Sequence, residues 1–363
     1  MILRLLTLLL FILSSCQINA EDEVRYSLEH FSYAGPMPII QIANNWHGDI
    51  KQGRDAVSFT QNEISVTKNN FTLGLLMRSY HQFSIDNDLA RGFYYYNNDI
   101  SLDEELRTDA FMQARVYSGT GLRLGYEFIF SPLSNTRLSL TPSIVALRLD
   151  DIIWGEFEGE LFYSNPDNWG GTIDLNYGYT KDHVVRRPLP GDHIGQLYGL
   201  DLDLNWQSPW LTFDYQGINL YSRIYWDGLP QTTAQVSTET AFLLFGYEYY
   251  DDVILHAPAL HYVQASGPLS IIPNITIDSL DWLTSARITP VKSFYYHGFQ
   301  YRNSIEIFDS PQALRLGLQH DFSTRTTRLS LDLTNITAVL ASQTLDASKS
   351  QQLVLKFTFH YSF

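Results

Sequence analysis

Apolar and polar residues alternate over much of the chain, a period-two pattern that predicts β-strands. In residues 71–78, Phe71, Leu73, Leu75 and Met77 take every second position. Because successive side chains of a strand point to opposite faces, such a segment has one apolar face. Similar alternation, weaker in the last five segments, occurs in residues 122–130, 156–161, 173–179, 200–206, 299–307, 314–319, 329–333, 353–363, 56–67, 138–149, 234–249, 254–265 and 269–289.

These segments predict a barrel that crosses a membrane. Strands of about ten residues with one apolar face, separated by turn residues, are typical of membrane barrels. The sheet has to close on itself, because an open edge in hydrocarbon would leave backbone groups unpaired. We therefore predict an all-β fold, a transmembrane antiparallel up-and-down β-barrel over residues 56–363 with about 12–14 strands. Residues 210–226 change phase near Gly217, which predicts a β-bulge.

The first twenty residues have the pattern of an export signal. Arg4 precedes an apolar run over residues 5–13, and small and polar residues follow. The run is too short to span a bilayer as a helix, so residues 1–20 are interpreted as a cleaved signal peptide. Cleavage after Ala20 fits this pattern. Cleavage before Cys16 also fits, since that site resembles a bacterial lipoprotein signal and would make Cys16 a lipidated first residue.

Three segments lack the alternation. Residues 21–55 contain Pro36 and Pro38, and we interpret them as a periplasmic extension, a plug of the lumen or an irregular first strand. Residues 84–109 and 181–193 are rich in polar residues and are predicted to be long loops. In membrane barrels the long loops normally face the outside and the short turns face the periplasm.

The last residues of the chain carry a further signal. Aromatic residues take the odd positions at the end of the final segment, at Phe357, Phe359, Tyr361 and Phe363. This tail resembles the C-terminal assembly signal of Gram-negative outer-membrane β-barrels, and the resemblance covers residues 353–363 only. It implies a location in the bacterial outer membrane and insertion by the barrel-assembly machinery. The alternative, an edge strand of a soluble sandwich, would expose an aromatic ladder and promote aggregation.

Composition excludes several classes of function. A formal net charge of −15 argues against a nucleic-acid partner, whose binding surface would be basic. A single cysteine excludes a disulfide framework and a cysteine-based zinc site. The sequence contains no phosphate-binding glycine loop, nucleophile elbow or zinc-protease motif, so we predict no enzymatic activity, metal or cofactor. His360 and Ser362 share a strand face, but their pattern places them on the polar side.

The polar faces of the predicted strands suggest a lumen with two oppositely charged sides. The acidic wall, on the middle segments, consists of Glu156, Glu158, Glu160, Asp174, Asp201, Asp203 and Asp214. The basic wall, on the flanking segments, consists of Arg78, Arg123, Arg302, Arg315, Arg328 and Lys356. Either the two walls face each other across water, as in a diffusion pore, or their charges pair and plug a narrow barrel. Three glutamates on one face favour a wet interior, because unpaired buried carboxylates are costly.

These patterns support a passive, porin-like channel for ions or small hydrophilic solutes. A closed barrel that acts through its loops, as an adhesin, receptor or envelope-assembly partner, is the alternative. A hydrolase of lipids or envelope polymers is a third hypothesis, for which the sequence offers no convincing nucleophile. The expected partners are outer-membrane lipid, lipopolysaccharide, the assembly machinery and, in a possible homo-oligomer, further copies of the chain.

Overall fold

The computed structural model describes residues 22–36, 53, 55–98, 100, 106–164, 168–181, 194–238, 242–250, 252–268, 280–288, 300–309, 315–321, 326–333, 335–344, 346 and 349–362. The predicted signal peptide, including Cys16, lies outside the described residues, and so does Phe363.

Nineteen strands and one helix make up the described part of the chain. The strands are β1 (Glu23–Ala34), β2 (Asp55–Lys68), β3 (Phe71–Ile85), β4 (Leu106–Tyr126), β5 (Phe128–Phe130), β6 (Arg137–Ser164), β7 (Asn168–Tyr179), β8 (Gly195–Gln207), β9 (Thr212–Trp226), β10 (Leu229–Ser237), β11 (Phe242–Tyr250), β12 (Val253–Leu255), β13 (Leu260–Pro268), β14 (Leu280–Ile288), β15 (Gln300–Asp309), β16 (Arg315–Asp321), β17 (Thr326–Leu333), β18 (Ile336–Ser342) and β19 (Gln352–Ser362). The helix, α1, spans Asn87–Asn97.

The strand pairings form a closed ring. Strand β1 pairs with β2 along one edge and with β19 along the other, and every pairing is antiparallel. From β1 the ring passes in order through β2, β3, β4, β6, β8, β9, β13, β14, β15, β16, β17, β18 and β19. Short β5 and β12 continue the lines of β4 and β13 against the neighbouring strands. The ring therefore has fourteen strands, which confirms the predicted barrel and its predicted size.

One end of the ring carries short turns and the other carries longer connections. Residues 69–70, 131–136 and 208–211 connect strands at the first end, which we call the turn end, and both β1 and β19 have their terminal residues there. The opposite end is called the loop end. Asn69 and Asn70 have φ angles of 49° and 70°, in the left-handed region that a tight hairpin turn requires.

Above the loop end, the sheet continues into an extension. Strand β6 is 28 residues long, and its residues 137–149 pair with β8 whereas residues 153–164 pair with β7. Strand β7 pairs with β10, and β10 pairs with β11. The extension therefore consists of β7, β10, β11 and the distal parts of β4 and β6. Asp150 is the additional residue of a bulge where β6 leaves the ring, since Ser118 and Gly119 face Asp151 and Leu149.

Residues 23–34 belong to the ring, so the barrel begins before residue 56, and of the three interpretations of residues 21–55 a first strand applies to this part. They form a regular ring strand, and the structure explains why no alternation was visible. Val24 and its partner on β19, Tyr361, are exposed on the outer surface, whereas Phe31 is buried on the opposite face. The apolar positions thus change from one face to the other part-way along β1.

Helix α1 lies in the segment that was predicted to be a loop. Asp86 caps it, because its Oδ1 accepts a hydrogen bond of 2.7 Å from the Leu89 backbone N–H. Leu89 and Ala90 are buried and pack with Ile85 and Ala110. Within the described ranges, no helix combines the length and apolar character needed to cross a membrane.

The outer surface of the ring carries an apolar band. On β3, Phe71, Leu73, Leu75 and Met77 are all exposed, as the alternation predicted. Further exposed apolar side chains of the ring are Ile64, Val66, Leu122, Leu124, Ile144, Tyr198, Leu200, Tyr221, Leu329, Leu333, Leu340, Leu355, Phe359 and Tyr361. A closed barrel with such a band is a transmembrane barrel, since lipid tails are the environment in which these side chains are stable.

Candidate functional site

The candidate site is the interior of the ring, which differs between its two ends. Toward the loop end, β2, β3, β4, β6, β8, β9 and β13 direct apolar side chains inward. These form one buried group, the apolar cluster, made of Val57, Phe59, Leu76, Tyr80, Tyr117, Val145, Leu147, Leu149, Ile152, Leu197, Ile218, Ile224, Trp226, Leu229, Ala257 and Leu260. Because β2 and β9 are far apart in the ring, contacts between their side chains span the interior.

Trp226 is the largest fully buried side chain of this cluster, with 1% of its surface exposed. It pairs with Gly195 across β8 and β9, and its ring lies where a Cβ atom of residue 195 would be. A glycine is therefore required for this close approach. The indole Nε1–H has no hydrogen-bond partner among the described residues.

A layer of charged and polar groups lies next to the apolar cluster. Arg78 of β3 is fully buried, and its Nη2 lies 2.5 Å from Oδ2 of Asp201 on β8. Strands β4 and β6 separate these two strands in the ring, so the ion pair bridges non-adjacent parts of the barrel. The Arg78 Nε donates a hydrogen bond of 3.0 Å to Gln61, and Nη1 donates one of 2.8 Å to Asn219.

Asn219 is placed by the irregularity predicted near Gly217. The register between β8 and β9 shifts at Leu200 and Leu202, and Asn219 has a φ angle of 54°. Its backbone N–H donates a 2.8 Å hydrogen bond to Asp201, and its Nδ2 donates one of 2.7 Å to the Tyr117 hydroxyl. The bulge therefore supplies two of the groups that satisfy the buried ion pair.

Arg123 of β4 forms the second part of this layer. Its Nη1 lies 3.2 Å from Oε2 of Glu63 on β2, and its Nη2 contacts Oδ2 of Asp203 on β8. The Gln61 side chain connects the two parts, since its Nε2 donates a hydrogen bond of 3.3 Å to Glu63. We call the whole set, Gln61, Glu63, Arg78, Arg123, Asp201, Asp203 and Asn219, the charge layer.

Toward the turn end the inner face is polar. The inward positions of the strands already described carry residues such as Ser27, Thr72, Thr141 and Asn205. The Asp203 side chain is 37% exposed although it points inward, so the interior is open to solvent on this side of the charge layer. An apolar core lies on one side of the charge layer and a wet polar face on the other.

The structure divides the predicted acidic wall into two groups. Asp201, Asp203 and Asp214 lie on ring strands, and Asn205 donates a hydrogen bond to Asp214. Glu156, Glu158, Glu160 and Asp174 lie on the extension, where Glu158 and Asp174 are directly paired across β6 and β7. These four share the face of Ile152, which belongs to the apolar cluster, so they continue the inner face beyond the ring. Their role as a lumen wall stays a prediction.

The predicted basic wall is likewise distributed along the barrel. Arg78 and Arg123 both belong to the charge layer, which brings the flanking and middle segments into contact. Arg302 and Arg315 lie on β15 and β16, where the structure describes the backbone alone. Arg328 lies on β17, and Lys356 lies on β19 opposite Glu29 of β1. The single basic wall therefore stays a prediction.

The aromatic tail residues lie on the outer face of β19. Phe359 and Tyr361 are exposed, and the Phe357 ring centre lies 6.0 Å from that of Tyr26 on β1. Three of the four residues of the predicted assembly signal are thus on the lipid side of the strand that closes the ring. Their use as an assembly signal stays a prediction.

A serine–histidine contact occurs on β1. Ser32 Oγ lies 2.6 Å from His30 Nε2, and His30 Nδ1 lies 2.8 Å from Thr60 Oγ1. Ser32 is only 4% exposed, and its hydroxyl also lies 3.1 Å from Ser58. This chain of hydroxyl groups ties β1 to β2 and offers no accessible nucleophile. Within the described ranges, no three His, Cys, Asp or Glu side chains converge as a metal site would require.

Sequence reasoning missed Glu63, Gln61, Tyr117 and Asn219. Glu63 and Gln61 lie in a weakly alternating segment, where both occupy inward positions on either side of Asn62. The outward Ile64 and Val66 were the signal that Glu63 and Ser65 face inward. No signal in the sequence shows which strands meet across the interior, so the contacts of these residues were not predictable.

No protein-family model and no curated protein matches the chain. Among solved structures, the CymD monoaromatic hydrocarbon channel shares 9% identity over 96% of this chain and 90% of that chain, with a TM-score of 0.28. The Pseudomonas putida toluene transporter TodX shares 8% over 97% and 91%, with a TM-score of 0.31. The outer membrane protease OmpT of Escherichia coli shares 8% over 96% and 99%, with a TM-score of 0.26.

Proposed function

We propose that the protein is a passive, porin-like channel for ions or small hydrophilic solutes. The observation that carries this proposal is the solvent-exposed, inward-facing Asp203 inside a ring of fourteen strands. Barrels of about eight strands have interiors filled by their own side chains, whereas porins of about sixteen to eighteen strands leave an aqueous channel. A fourteen-stranded ring with a polar inner face is therefore wide enough to hold water beside its side chains.

A closed barrel that acts through its external parts is the second candidate. The apolar cluster and the Arg78–Asp201 ion pair favour it, because both connect non-adjacent strands across part of the interior. The extension also offers an external sheet beyond the membrane band, with a cavity of about 430 Å³ lined by Glu156, Glu158 and Asp174. In this alternative the lumen conducts no solute.

Conductance distinguishes the two candidates. The purified full-length barrel, shown to be folded by its heat-dependent mobility on gels, is added to a planar lipid bilayer. A channel gives discrete conductance steps, and Asp203→Asn changes their size or ion selectivity. A combined Glu156→Gln, Glu158→Gln and Glu160→Gln variant tests whether the extension contributes an acidic entrance. Absence of conductance steps for the folded wild-type protein would overturn the channel and leave the closed barrel.

The location and partners belong to the same proposal. We infer that the barrel lies in the bacterial outer membrane after export with a cleaved signal peptide, with the turn end toward the periplasm and the extension outside. The apolar band would contact outer-membrane lipid and lipopolysaccharide, and the assembly machinery would recognise the tail of β19. Cell fractionation and mass spectrometry of the N-terminus test the location and decide between cleavage after Ala20 and lipidation at Cys16.

A further inference from the structure

Glu63 has one carboxylate oxygen without a partner. Its side chain is 5% exposed, and its Oε2 accepts the contacts from Arg123 and Gln61. The other oxygen, Oε1, has no hydrogen-bond partner among the described residues although it is buried. An unsatisfied buried acceptor is costly, and the cost is greater for a charged group. This oxygen therefore needs a donor or a cation from outside the described side chains.

A second unpartnered oxygen lies nearby. Ser143 on β6 is 2% exposed, and its Oγ has no hydrogen-bond partner among the described residues. Glu63 Oε1 lies 2.5 Å from the position that a Cβ atom of residue 74 would take, and Ser143 Oγ lies 2.6 Å from the corresponding position at residue 125. Both oxygens therefore occupy space left free by a missing side chain.

Gly74 and Gly125 hold these two oxygens in the same region. Gly74 pairs with Arg123, and Gly125 is two residues further along the same strand. Side chains in such diagonal positions on adjacent strands are separated by about 7–8 Å. The two oxygens lie 2.5 Å and 2.6 Å from these two positions, so a small hydrated cation or an ammonium group that contacts one of them can reach the other through a water molecule.

The charges of the layer favour a cation over an anion. Glu63, Asp201 and Asp203 supply three carboxylates, and Arg78 and Arg123 supply two guanidinium groups. One negative charge is therefore in excess within the charge layer. Arg25, which lies beside Ser65 toward the turn end, is exposed and forms no ion pair with Glu63 within the described part of the chain.

We propose that Glu63 Oε1 and Ser143 Oγ form a binding site for a monovalent cation or a primary ammonium group at the boundary between the polar and apolar parts of the interior. Within the described residues no three His, Cys, Asp or Glu side chains converge, and Ca²⁺ takes about six to eight oxygen ligands, so this pair of oxygens fits a monovalent cation better than Ca²⁺. This site adds to the proposed channel function, and its role in ion selectivity depends on that function. In that role, Glu63 is the residue that makes the lumen prefer cations.

Equilibrium binding of thallium(I), a probe for monovalent cations, tests the site without relying on conductance. The full-length barrel in detergent is titrated and followed by thallium NMR. Saturable binding is expected for the wild-type protein, and Glu63→Gln should weaken it by about tenfold or more, since one full charge is removed. Ser143→Ala removes the second oxygen without changing the charge and should weaken binding by about two- to fivefold.

Glu127→Gln is the matched control. It also removes one carboxylate from the inner face, but Glu127 Oε1 already accepts a hydrogen bond of 2.5 Å from Ser139. Thallium binding by this variant should stay within about twofold of the wild-type value. Reversal potentials in a potassium chloride gradient give the second readout, in which Glu63→Gln lowers the cation-to-anion permeability ratio more than Glu127→Gln does.

The outcomes separate the site from the channel. Thallium binding that depends on Glu63 in a barrel without conductance supports the site and overturns the channel. Conductance with unchanged thallium binding in Glu63→Gln supports the channel and overturns the site. Absence of saturable binding by the wild-type protein overturns the site in every case. If Glu63→Gln does not fold, Ser143→Ala decides the question, because unchanged binding by that variant would contradict the proposal.

Discussion

The two halves of the barrel wall differ in which face is apolar. Toward the turn end, β6 points Thr141 and Ser143 inward and Ile144 outward, where 64% of its surface is exposed. Only a few residues further along, Val145 and Leu147 point inward and are buried. On the outer face of β6 at this level, Arg148 and Asp150 are exposed. The same strand thus has a polar inside and an apolar outside in one half, and the reverse in the other.

This difference shows where lipid gives way to water along the wall. A side chain is stable when it matches its surroundings, so a strand in hydrocarbon carries its apolar face outward. A strand surrounded by water buries its apolar face, as in soluble proteins. The position at which β6 exchanges its faces, close to Arg148, is therefore the position at which the barrel leaves the membrane. The charge layer lies at the corresponding boundary inside.

The largest expected effect comes from breaking the ion pair at that boundary. Arg78→Met leaves the buried Asp201 carboxylate without its guanidinium partner, which should lower the free energy of unfolding by about 3–5 kcal/mol. Urea unfolding of the barrel in detergent micelles measures the change.

The combined Arg78→Met and Asp201→Leu variant is the control for this experiment. Replacing both charges with apolar groups removes the unpaired carboxylate, so most of the lost stability should return. A double variant as unstable as Arg78→Met alone would show that the cost does not come from an uncompensated charge.

A smaller effect is expected on the outer surface. Leu75 is 65% exposed within the apolar band, and Leu75→Arg should lower the free energy of unfolding in lipid vesicles by about 2–4 kcal/mol. The reference substitution is Arg148→Leu, which changes the exposed outer face beyond the band and should cost less than about 0.5 kcal/mol. Equal costs for the two variants would contradict the boundary near Arg148.

The smallest effects come from two reciprocal substitutions on the inner face of β6. Val145→Thr places a hydroxyl group in the apolar cluster and should cost about 1–3 kcal/mol. Thr141→Val removes a hydroxyl group from the wet half, where the cost should stay within about 0.5 kcal/mol. Both changes conserve size, so unfolding in detergent compares polarity alone. A larger cost for Thr141→Val would reverse the assignment of the two halves.

The sequence predicted the lipid-facing parts of the barrel well. The alternation around Leu73 and Leu124 depends only on local geometry, because the side-chain period of a strand is fixed at two residues. The predicted number of strands agrees with the ring of fourteen, but the predicted segments 173–179 and 234–249 lie in the extension, whereas the ring strands β1 and β18 were not among the predicted segments. Strand β1 was left as one of three alternatives because its apolar residues change face between Leu28 and Phe31, which removes the period from the sequence.

The interior was predicted less completely. Glu156 and Glu158 alternate with Phe157 as a lumen-facing strand would, yet Phe157 packs near helix α1 and the segment belongs to the extension. The pairing of Arg78 with Asp201 depends on how the ring closes, and no local pattern encodes a contact between residues 123 positions apart. Glu63 could be placed on the inner face, but its unpartnered oxygen depends on the glycine at position 74 of the next strand.

The seam between the first and last strands sets the timing of folding. Glu23 lies opposite Ser362, so the two edges that have to meet are far apart along the polypeptide. Joining them restricts a loop of about 340 residues, with an entropic cost of roughly 5 kcal/mol for a flexible chain. Contacts so distant along the chain also make folding slow. The seam cannot form before β19 has been synthesised, and until then the incomplete sheet has unpaired edges that promote aggregation.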